Sequence, residues 1–184
     1  MLKKAKEYIT HNRLWPLIDV LLFIIITLGF HELWWAFHAQ IAGITAFTTI
    51  TDWLAAIVYN ASAWLDAHIF GMDTVLYAPN VIHFNANNTS ININESCSGF
   101  KQMIQILVLF ILFPGPWKHK AWFIPACMAA MFLVNVIRVI GLSYAMILMP
   151  QHWDFIHLWI MRPFYYVAIF VMWVIWVEKF RRRK

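Results

Sequence analysis

The sequence predicts an all-α integral membrane protein with about four transmembrane helices, interfacial or re-entrant helices on the outer face and a small extracytoplasmic hairpin. Hydrophobic residues make up 62% of its 184 residues and charged residues only 12%, whereas a soluble domain carries about 25% charge. The apolar residues form runs long enough to cross a bilayer, which takes about 20 residues per helix. Eleven Trp and six Tyr are typical of the aromatic belts at membrane interfaces.

The basic residues predict which ends of the helices face the cytoplasm. A net charge of +5 could indicate a nucleic-acid partner, but 11 of the 14 basic residues flank apolar runs, as the positive-inside rule expects. We therefore predict cytoplasmic N- and C-termini, contact with membrane lipid and no nucleic-acid partner. The three basic groups are Lys3, Lys4, Lys6 and Arg13; Lys118 and Lys120; and Lys179, Arg181, Arg182, Arg183 and Lys184.

Four apolar runs are the predicted spans. They cover approximately residues 14–37, 99–113, 121–149 and 158–177. The second is short because Pro114-Gly115-Pro116 stops the helix. The sequence has no internal repeats, low-complexity tracts or flexible linkers, which predicts a single domain over residues 1–184. It gives no indication of the oligomeric state.

The stretch 41–70 is apolar but carries Asp52, Asn60, Asp66 and His68. A crossing here would put the first two basic groups on opposite sides of the membrane. We therefore predict one or two interfacial helices, with a re-entrant pair as the alternative. Helical spacing predicts an apolar face formed by Phe47, Ile50, Leu54, Ile57, Ala61, Trp64 and Leu65.

The segment 71–98 is the sizeable polar part of the chain. Alternating apolar residues at 76–84 and 90–93 predict a two-stranded hairpin that delivers the chain to Cys97. A thiol becomes nucleophilic when its thiolate is favoured, and a helix N-terminus and Lys101, four residues on, would favour it. Glu95 opposes this. The alternative is a small buried residue at a helix start.

Arg138 lies deep in the third predicted span, where a charge is expensive and needs a partner in the bundle interior. Asn135, three residues earlier, lies on the same helix face. These residues predict a functional site, and a structural hydrogen bond to a helix end is the alternative.

Two histidines, His152 and His157, lie in the predicted outer loop before the last span. Their five-residue spacing suits neither a helix face nor a strand face, so we predict no metal site and no cofactor. Arg162 could hold a substrate carboxylate, although contact with a lipid headgroup is favoured. His31, Glu32 and His38 at the end of the first span are expected to be solvated.

Topology brings a thiol, an imidazole and a guanidinium toward the same outer face. These groups are what acyl transfer through a thiol needs, because the thiolate attacks a carbonyl, the imidazole moves protons and the cation stabilises the oxyanion. A thioester enzyme is therefore one hypothesis for the function.

Three sequence motifs resemble those of the exosortase/archaeosortase family. They are Glu95-Ser96-Cys97-Ser98-Gly99 at a helix start, Asn135-Val136-Ile137-Arg138 in the next helix, and a His before the last helix. The resemblance covers approximately residues 75–180. The compact size and the segments 113–120 and 162–166 are similar to the short exosortase-like proteins of Bacteroidetes-type bacteria.

The resemblance implies a membrane-embedded cysteine protease or transpeptidase of the bacterial inner membrane, with its active site on the extracytoplasmic side. Cys97 would be the nucleophile, Arg138 the stabilising cation and His157 the acid/base, with His152 in reserve. The substrates would be exported proteins with a hydrophobic C-terminal sorting tail, cleaved through an acyl-thioester. The alternative function is a non-catalytic membrane partner in surface protein or polysaccharide export.

Depth in the membrane is the difficulty for this hypothesis. Arg138 precedes Pro150 by twelve residues, about 18 Å of helix, whereas Cys97 and His157 are expected at the surface. A long Arg side chain, a tilted or early-ending helix near Gly141, or a sunken Cys97 would close this gap.

Overall fold

A computed structural model describes residues 14–181. The basic residues at positions 3–13 and 182–184, on which part of the topology prediction depends, lie outside the described residues. The described chain is mostly helical, with one small sheet between its second and third helices. The elements are α1 (Trp15–Ala42), α2 (Thr45–His68), β1 (Thr74–Tyr77), β2 (Val81–Phe84), β3 (Thr89–Asn92), α3 (Phe100–Leu112), α4 (Trp117–Leu148) and α5 (Arg162–Trp176).

Three helical segments are long and apolar enough to cross a membrane, and a shorter apolar helix, α3, has 13 residues. The long segments are Trp15–Ala42, Trp117–Leu148 and Pro150–Arg181. The third contains α5 and, before it, a π-helical stretch at Ile156–Met161. The prediction of a mostly helical membrane protein is confirmed. The last helical segment starts earlier than predicted because it continues through the π-helix.

A hairpin of α3 and α4 forms the centre of the bundle. Its turn is closed by Gly115 (φ +157), where an added Cβ would lie 2.5 Å from Cζ2 of Trp176. Nearby, Lys120 Nζ donates to the Ile111 carbonyl at 3.0 Å. We call this the turn end of the bundle. The main core lies beside it, between α3, α4 and α5, and includes Leu109, Phe110, Phe113, Phe123, Met131, Ile169 and Trp176.

The ambiguous stretch 41–70 forms a single helix, α2, which begins two residues after Gly43. Of the predicted apolar face of α2, Phe47 is buried in the protein, whereas Ile50 and Trp64 are exposed. Small residues at the contact let helices approach closely in a membrane protein, and α2 buries such residues and one carboxylate against its neighbours. Its buried residues are Phe47, Thr51, Ala55, Val58, Ser62, Ala63 and Asp66.

The polar segment forms a three-stranded antiparallel sheet in the order β1-β2-β3. The predicted two-stranded hairpin was therefore incomplete, because a turn around Pro79 divides its first arm into β1 and β2. Proline has no N–H for a ladder and favours such an interruption. Apolar side chains of the sheet pack against α2 and α4 in a second core, which includes Val58, Ile82, Phe84, Ile91, Ile93, Val139 and Leu142.

Specific polar contacts attach the sheet and α2 to the far end of α4. Asn87 Nδ2 donates to the Met146 carbonyl at 2.7 Å, and Ser143 Oγ donates to the buried Asp66 carboxylate at 2.8 Å. We call this the sheet end of the bundle. These contacts fix the chain that leaves β3, which runs directly into the segment around Cys97.

Candidate active site

Cys97 ends a short 3₁₀ turn, Glu95–Cys97, just before α3. Asn94 caps this turn, because its side-chain oxygen accepts from the Ser96 N–H at 3.1 Å. Gly99 then adopts a left-handed conformation (φ +77), and α3 begins at Phe100. A side chain at Gly99 would be strained there, and its Cβ would lie 2.9 Å from Asn135 Nδ2. The glycine thus lets the Cys97 segment pack directly against α4.

Asn135 fixes the depth of Cys97 in the bundle. Its Nδ2 donates to the Cys97 carbonyl at 2.7 Å, so Cys97 lies level with Asn135 and one turn from Arg138. Helix α4 continues to Leu148, about 20 Å beyond Asn135. The expected gap between Cys97 and Arg138 is therefore closed because Cys97 is sunken, and the alternative of an α4 that ends near Gly141 is wrong.

Arg138 is the centre of a buried hydrogen-bond network. Its two terminal nitrogens lie 3.0 Å from the Tyr165 hydroxyl and 3.1 Å from His157 Nε2. The Tyr165 hydroxyl in turn donates to Asn135 Oδ1. A guanidinium only donates hydrogen bonds, so His157 Nε2 must accept and this imidazole is neutral. We call Asn135, Arg138, His157 and Tyr165 the Arg138 network. Both hydrogen-bond partners of Arg138 among the described residues, His157 and Tyr165, are uncharged.

Tyr165 was missed by sequence reasoning, and the π-helix explains why. Tyr165 follows His157 by eight residues, which places the two side chains about 80° apart around a regular α-helix. The stretch Ile156–Met161 is π-helical, and a π turn holds one extra residue. Eight residues therefore complete about two turns, so both side chains reach Arg138. An apolar sequence with several aromatic residues carries no signal for this insertion.

The two loop histidines occupy different environments. His157 is half-buried and stacks on Trp153, with ring centroids 5.5 Å apart. His152 is exposed in the 3₁₀ turn Pro150–His152. The structure thus brings His157, and not His152, to Arg138.

A cavity of about 620 Å³ connects the Arg138 network with the Cys97 segment. Cys97 is half-buried, and its Sγ lies 4.0 Å from Ser96 Oγ. Within residues 14–181, no hydrogen bond joins Cys97 Sγ to Arg138 or His157. Residues that line the cavity include Ser96, Ser98, Gly99, Gln105, Arg138, His157 and Tyr165.

The model of the transmembrane exosortase family (Exosortase_EpsH) matches residues 15–179. The chain belongs to this family. The predicted family is thereby confirmed, and the match extends beyond the motifs to α1 and α2. Membership makes the chain a membrane protein of the sorting-protease family. No curated protein and no solved structure matches the chain.

Among the described residues, Lys101 contacts α1 and not the Cys97 thiol, although its position four residues after Cys97 predicted that it would favour the thiolate. Its Nζ lies 3.3 Å from His31 Nδ1 and 4.5 Å from the centre of the Trp35 ring. The Lys101 ammonium is therefore held against α1. Helix position alone placed Lys101 near Cys97, but the left-handed Gly99 between them breaks the helical register.

The histidines of α1 have protein partners, which corrects the expectation that they are solvated. His31 Nδ1 lies 2.9 Å from the Tyr166 hydroxyl. His38 Nε2 lies 3.4 Å from the Glu95 carboxylate, which draws this carboxylate toward α1. Both histidines line the same cavity.

Arg162 is exposed and also lines the cavity. Its charge interacts with His157 and repels that of Lys101. In the part of the chain that the structure describes, no group of three or more metal-ligating side chains is present.

Proposed function

We propose that this exosortase family member is a membrane-embedded cysteine peptidase or transpeptidase that cleaves C-terminal sorting signals of exported proteins. One observation carries the proposal. The buried Arg138 has only uncharged partners, lies 3.1 Å from a neutral His157 and shares a cavity with the residues on both sides of Cys97. A fixed positive charge beside a proton acceptor, in a cavity that reaches the residues next to a cysteine, fits acyl transfer through a thiol.

The Arg138–His157 hydrogen bond gives the first step a definite order. The Cys97 thiol passes its proton to His157 Nε2, and the sulfur forms a bond with the scissile carbonyl carbon. Once protonated, Nε2 no longer accepts from Arg138, so one Arg138 N–H becomes available for the oxyanion as it forms. Charge stabilisation thus appears together with the tetrahedral intermediate, where it accelerates the reaction.

Collapse of the intermediate completes the acyl transfer. The C–N bond breaks, and the imidazolium of His157 returns its proton to the leaving amine. The new N-terminal fragment stays on Cys97 as a thioester. An acceptor nucleophile, or water, then attacks the thioester carbonyl, gives its proton to His157 and releases the thiolate, which recovers that proton.

The dimensions of α3 support a recessed site that opens toward the extracytoplasmic side. With the turn end at the cytoplasmic face, beside Lys118 and Lys120, the 13 residues of α3 rise about 20 Å through a hydrocarbon core of about 30 Å. Cys97 would then lie about 10 Å below the outer boundary of that core. A hydrophobic C-terminal tail in the bilayer could therefore present its upper end to the thiol.

The decisive test is to replace Cys97 in the full chain and follow a co-expressed candidate substrate by mass spectrometry. Cys97→Ala should leave the substrate with its tail intact, because no thioester can form. Cys127→Ala is the matched control: Cys127 is buried in the main core, so this variant should still process the substrate. Intact-mass measurement should also detect the acyl-enzyme on wild type and not on Cys97→Ala.

Unchanged processing by Cys97→Ala would eliminate the enzyme hypothesis. The non-catalytic role in surface protein or polysaccharide export would then be the remaining candidate. That role predicts that Cys97 reacts with maleimide no faster than an ordinary thiol.

A further inference from the structure

The third strand of the small sheet has one open side. Among the described residues, β2 is the only partner strand of β3. At the end of this ladder the Ile93 N–H donates to the Asn80 carbonyl at 2.9 Å. In an antiparallel pair, alternate residues exchange hydrogen bonds with the partner strand, so Ile91 and Ile93 face β2. The backbone N–H and C=O groups of Ser90 and Asn92 therefore face away from it.

Asn94 continues this row toward the candidate active site. It follows Asn92 by two residues, has an extended backbone (φ −98°, ψ −170°) and lines the cavity. Ser90, Asn92 and Asn94 are all exposed. In the part of the chain that the structure describes, no hydrogen bond joins the backbone N–H of these residues to another segment. We call Ser90, Asn92 and Asn94 the β3 edge.

The β3 edge lacks the features with which proteins usually protect an open strand. An open edge can pair with another extended chain, and lysine, proline or a β-bulge commonly prevents this. The segment Thr89-Ser90-Ile91-Asn92 contains neither lysine nor proline, and its register with β2 is continuous. Its outward N–H and C=O groups are therefore available to an extended peptide, which would add a strand to the sheet.

The strand descends along α4 toward Cys97. Asn87, just before β3, donates to the Met146 carbonyl, whereas Asn135 donates to the Cys97 carbonyl. Met146 follows Asn135 by eleven residues, about 16 Å of helix. With Cys97 about 10 Å below the outer boundary of the hydrocarbon core, β3 begins in water. Its edge ends at the cavity.

We propose that the β3 edge binds, as an added parallel strand, the extended segment of an exported substrate that immediately precedes its hydrophobic tail. The inference rests on the proposed function, which assigns this class of substrate. A protein that lies outside the membrane with its C-terminal tail in the bilayer runs in the same direction as β3. Ser90 and Asn92 can then form up to four backbone hydrogen bonds with it. The residues that follow pass Asn94 and reach Cys97.

The opposite edge of the sheet provides an internal control. β1 is also paired with β2 alone among the described residues. The Asn85 N–H donates to the Asp73 carbonyl at 3.1 Å, so by the same alternation the backbone of Leu76 faces the open side. This edge lies about 10 Å from β3 across the sheet, and β1 does not lead to the cavity.

The test measures binding without cleavage, so that it does not depend on the chemistry of the thiol. Native mass spectrometry measures the Kd of the full-length Cys97→Ala protein in detergent micelles for a synthetic peptide. The peptide joins Thr-Val-Thr-Val-Thr-Val, which favours a strand, to an apolar Leu-Ala tail of about 20 residues. A second peptide carries N-methyl groups on the six strand residues, which removes their N–H donors. It should bind about tenfold more weakly.

Variants then locate the binding. Asn92→Pro removes an N–H from the β3 edge without removing a bond to β2, and its ring obstructs an added strand. It should raise the Kd of the unmethylated peptide about tenfold and that of the methylated peptide less than about twofold. Asn92→Ala keeps the N–H, and Leu76→Pro makes the same backbone change at the opposite edge. Each should change the Kd less than about twofold.

Three results would overturn the proposal. One is equal binding of the two peptides by the parent protein, a comparison that needs no folded variant. Another is an equal effect of Asn92→Pro and Leu76→Pro. The third is a dimer in the absence of peptide that Asn92→Pro dissociates, which would assign the edge to a second copy of the chain. Unchanged substrate processing by Cys97→Ala, in contrast, would eliminate the proposed chemistry and leave the difference between the two peptides in place.

Discussion

Two arginines, the buried Arg138 and the partly buried Arg181, lie toward opposite ends of the bundle, and their partners differ in charge. At the turn end, Arg181 Nε lies 2.7 Å from the carboxylate of Asp19, whose side chain is 6% exposed. The Arg181 guanidinium also lies over the Phe113 ring. Toward the sheet end, Arg138 has only His157 and Tyr165 as hydrogen-bond partners.

The difference shows how each arginine is used. A charge inside a membrane protein is expensive and needs partners, and Arg181 meets this need with an opposite charge, so little net field remains around the pair. Arg138 meets it with neutral dipoles and keeps its charge beside a cavity of about 620 Å³. In a medium of low dielectric constant that charge acts strongly on a developing anion. We infer a structural role for Arg181 and a chemical role for Arg138.

The largest expected contrast comes from replacing each arginine with glutamine. Arg138→Gln should lower kcat about a thousandfold, as loss of an oxyanion donor does, while the protein remains folded. Arg181→Gln should lower the free energy of unfolding by about 3 kcal/mol, because it leaves Asp19 buried and unpaired. Turnover per folded molecule and unfolding in micelles measure the two effects separately.

The comparison would fail if the effects were exchanged. Normal turnover by folded Arg138→Gln would remove the guanidinium from the mechanism. A comparable loss of turnover in folded Arg181→Gln would mean that the turn end also takes part in the chemistry.

A smaller contrast separates the two histidines near the sheet end. His157→Ala should lower kcat about a hundredfold, because general acid–base catalysis contributes at least that much. His152→Ala is the matched control and should change kcat by less than about twofold, since an exposed side chain away from the site has little effect. Single-turnover kinetics with a tailed substrate measures both. The reverse order would transfer the acid/base role to His152.

The predictions that succeeded depend on local patterns of sequence. Apolar runs located the long helices, and Pro114-Gly115-Pro116 marked the end of α3. The apolar pattern of α2 did not show which of its residues pack in protein, because hydrophobicity does not distinguish such a residue from one available to lipid. Trp64 is exposed on α2, whereas the polar Ser62 and Asp66 are fully buried.

The parts of the candidate site that could not be predicted depend on contacts between distant segments. His31 approaches Lys101 across 70 residues of sequence, and the π-helix brings Tyr165 into line with His157, so that both contact Arg138. The hydrophobic pattern of a single segment predicts neither how α1 packs on α3 nor where a helix takes up the extra residue of a π turn. Likewise, the predicted span boundaries did not fix the position of Cys97 along α4, which depends on the hydrogen bond from Asn135 to the Cys97 carbonyl.

The smallest contrast uses two glycines with positive φ, one at each hairpin end of α3. Gly99→Ala would strain the left-handed backbone by about 1 kcal/mol and push its Cβ to 2.9 Å from Asn135 Nδ2. Displacement of Asn135 should shift Cys97, so kcat should fall about tenfold for a small misplacement of the reacting group. Gly115→Ala would place its Cβ 2.5 Å from the buried Trp176 ring.

This second substitution should therefore act on stability, with a loss of about 2 kcal/mol from overpacking and little change in turnover per folded molecule. Measuring kcat and the unfolding midpoint of both variants checks the pair. Because both glycines have positive φ and closely approach a buried side chain, backbone strain alone predicts similar consequences for the two. A selective loss of turnover in Gly99→Ala would show that the position of Cys97 against Asn135 matters for the chemistry, whereas equal losses would assign both glycines to folding.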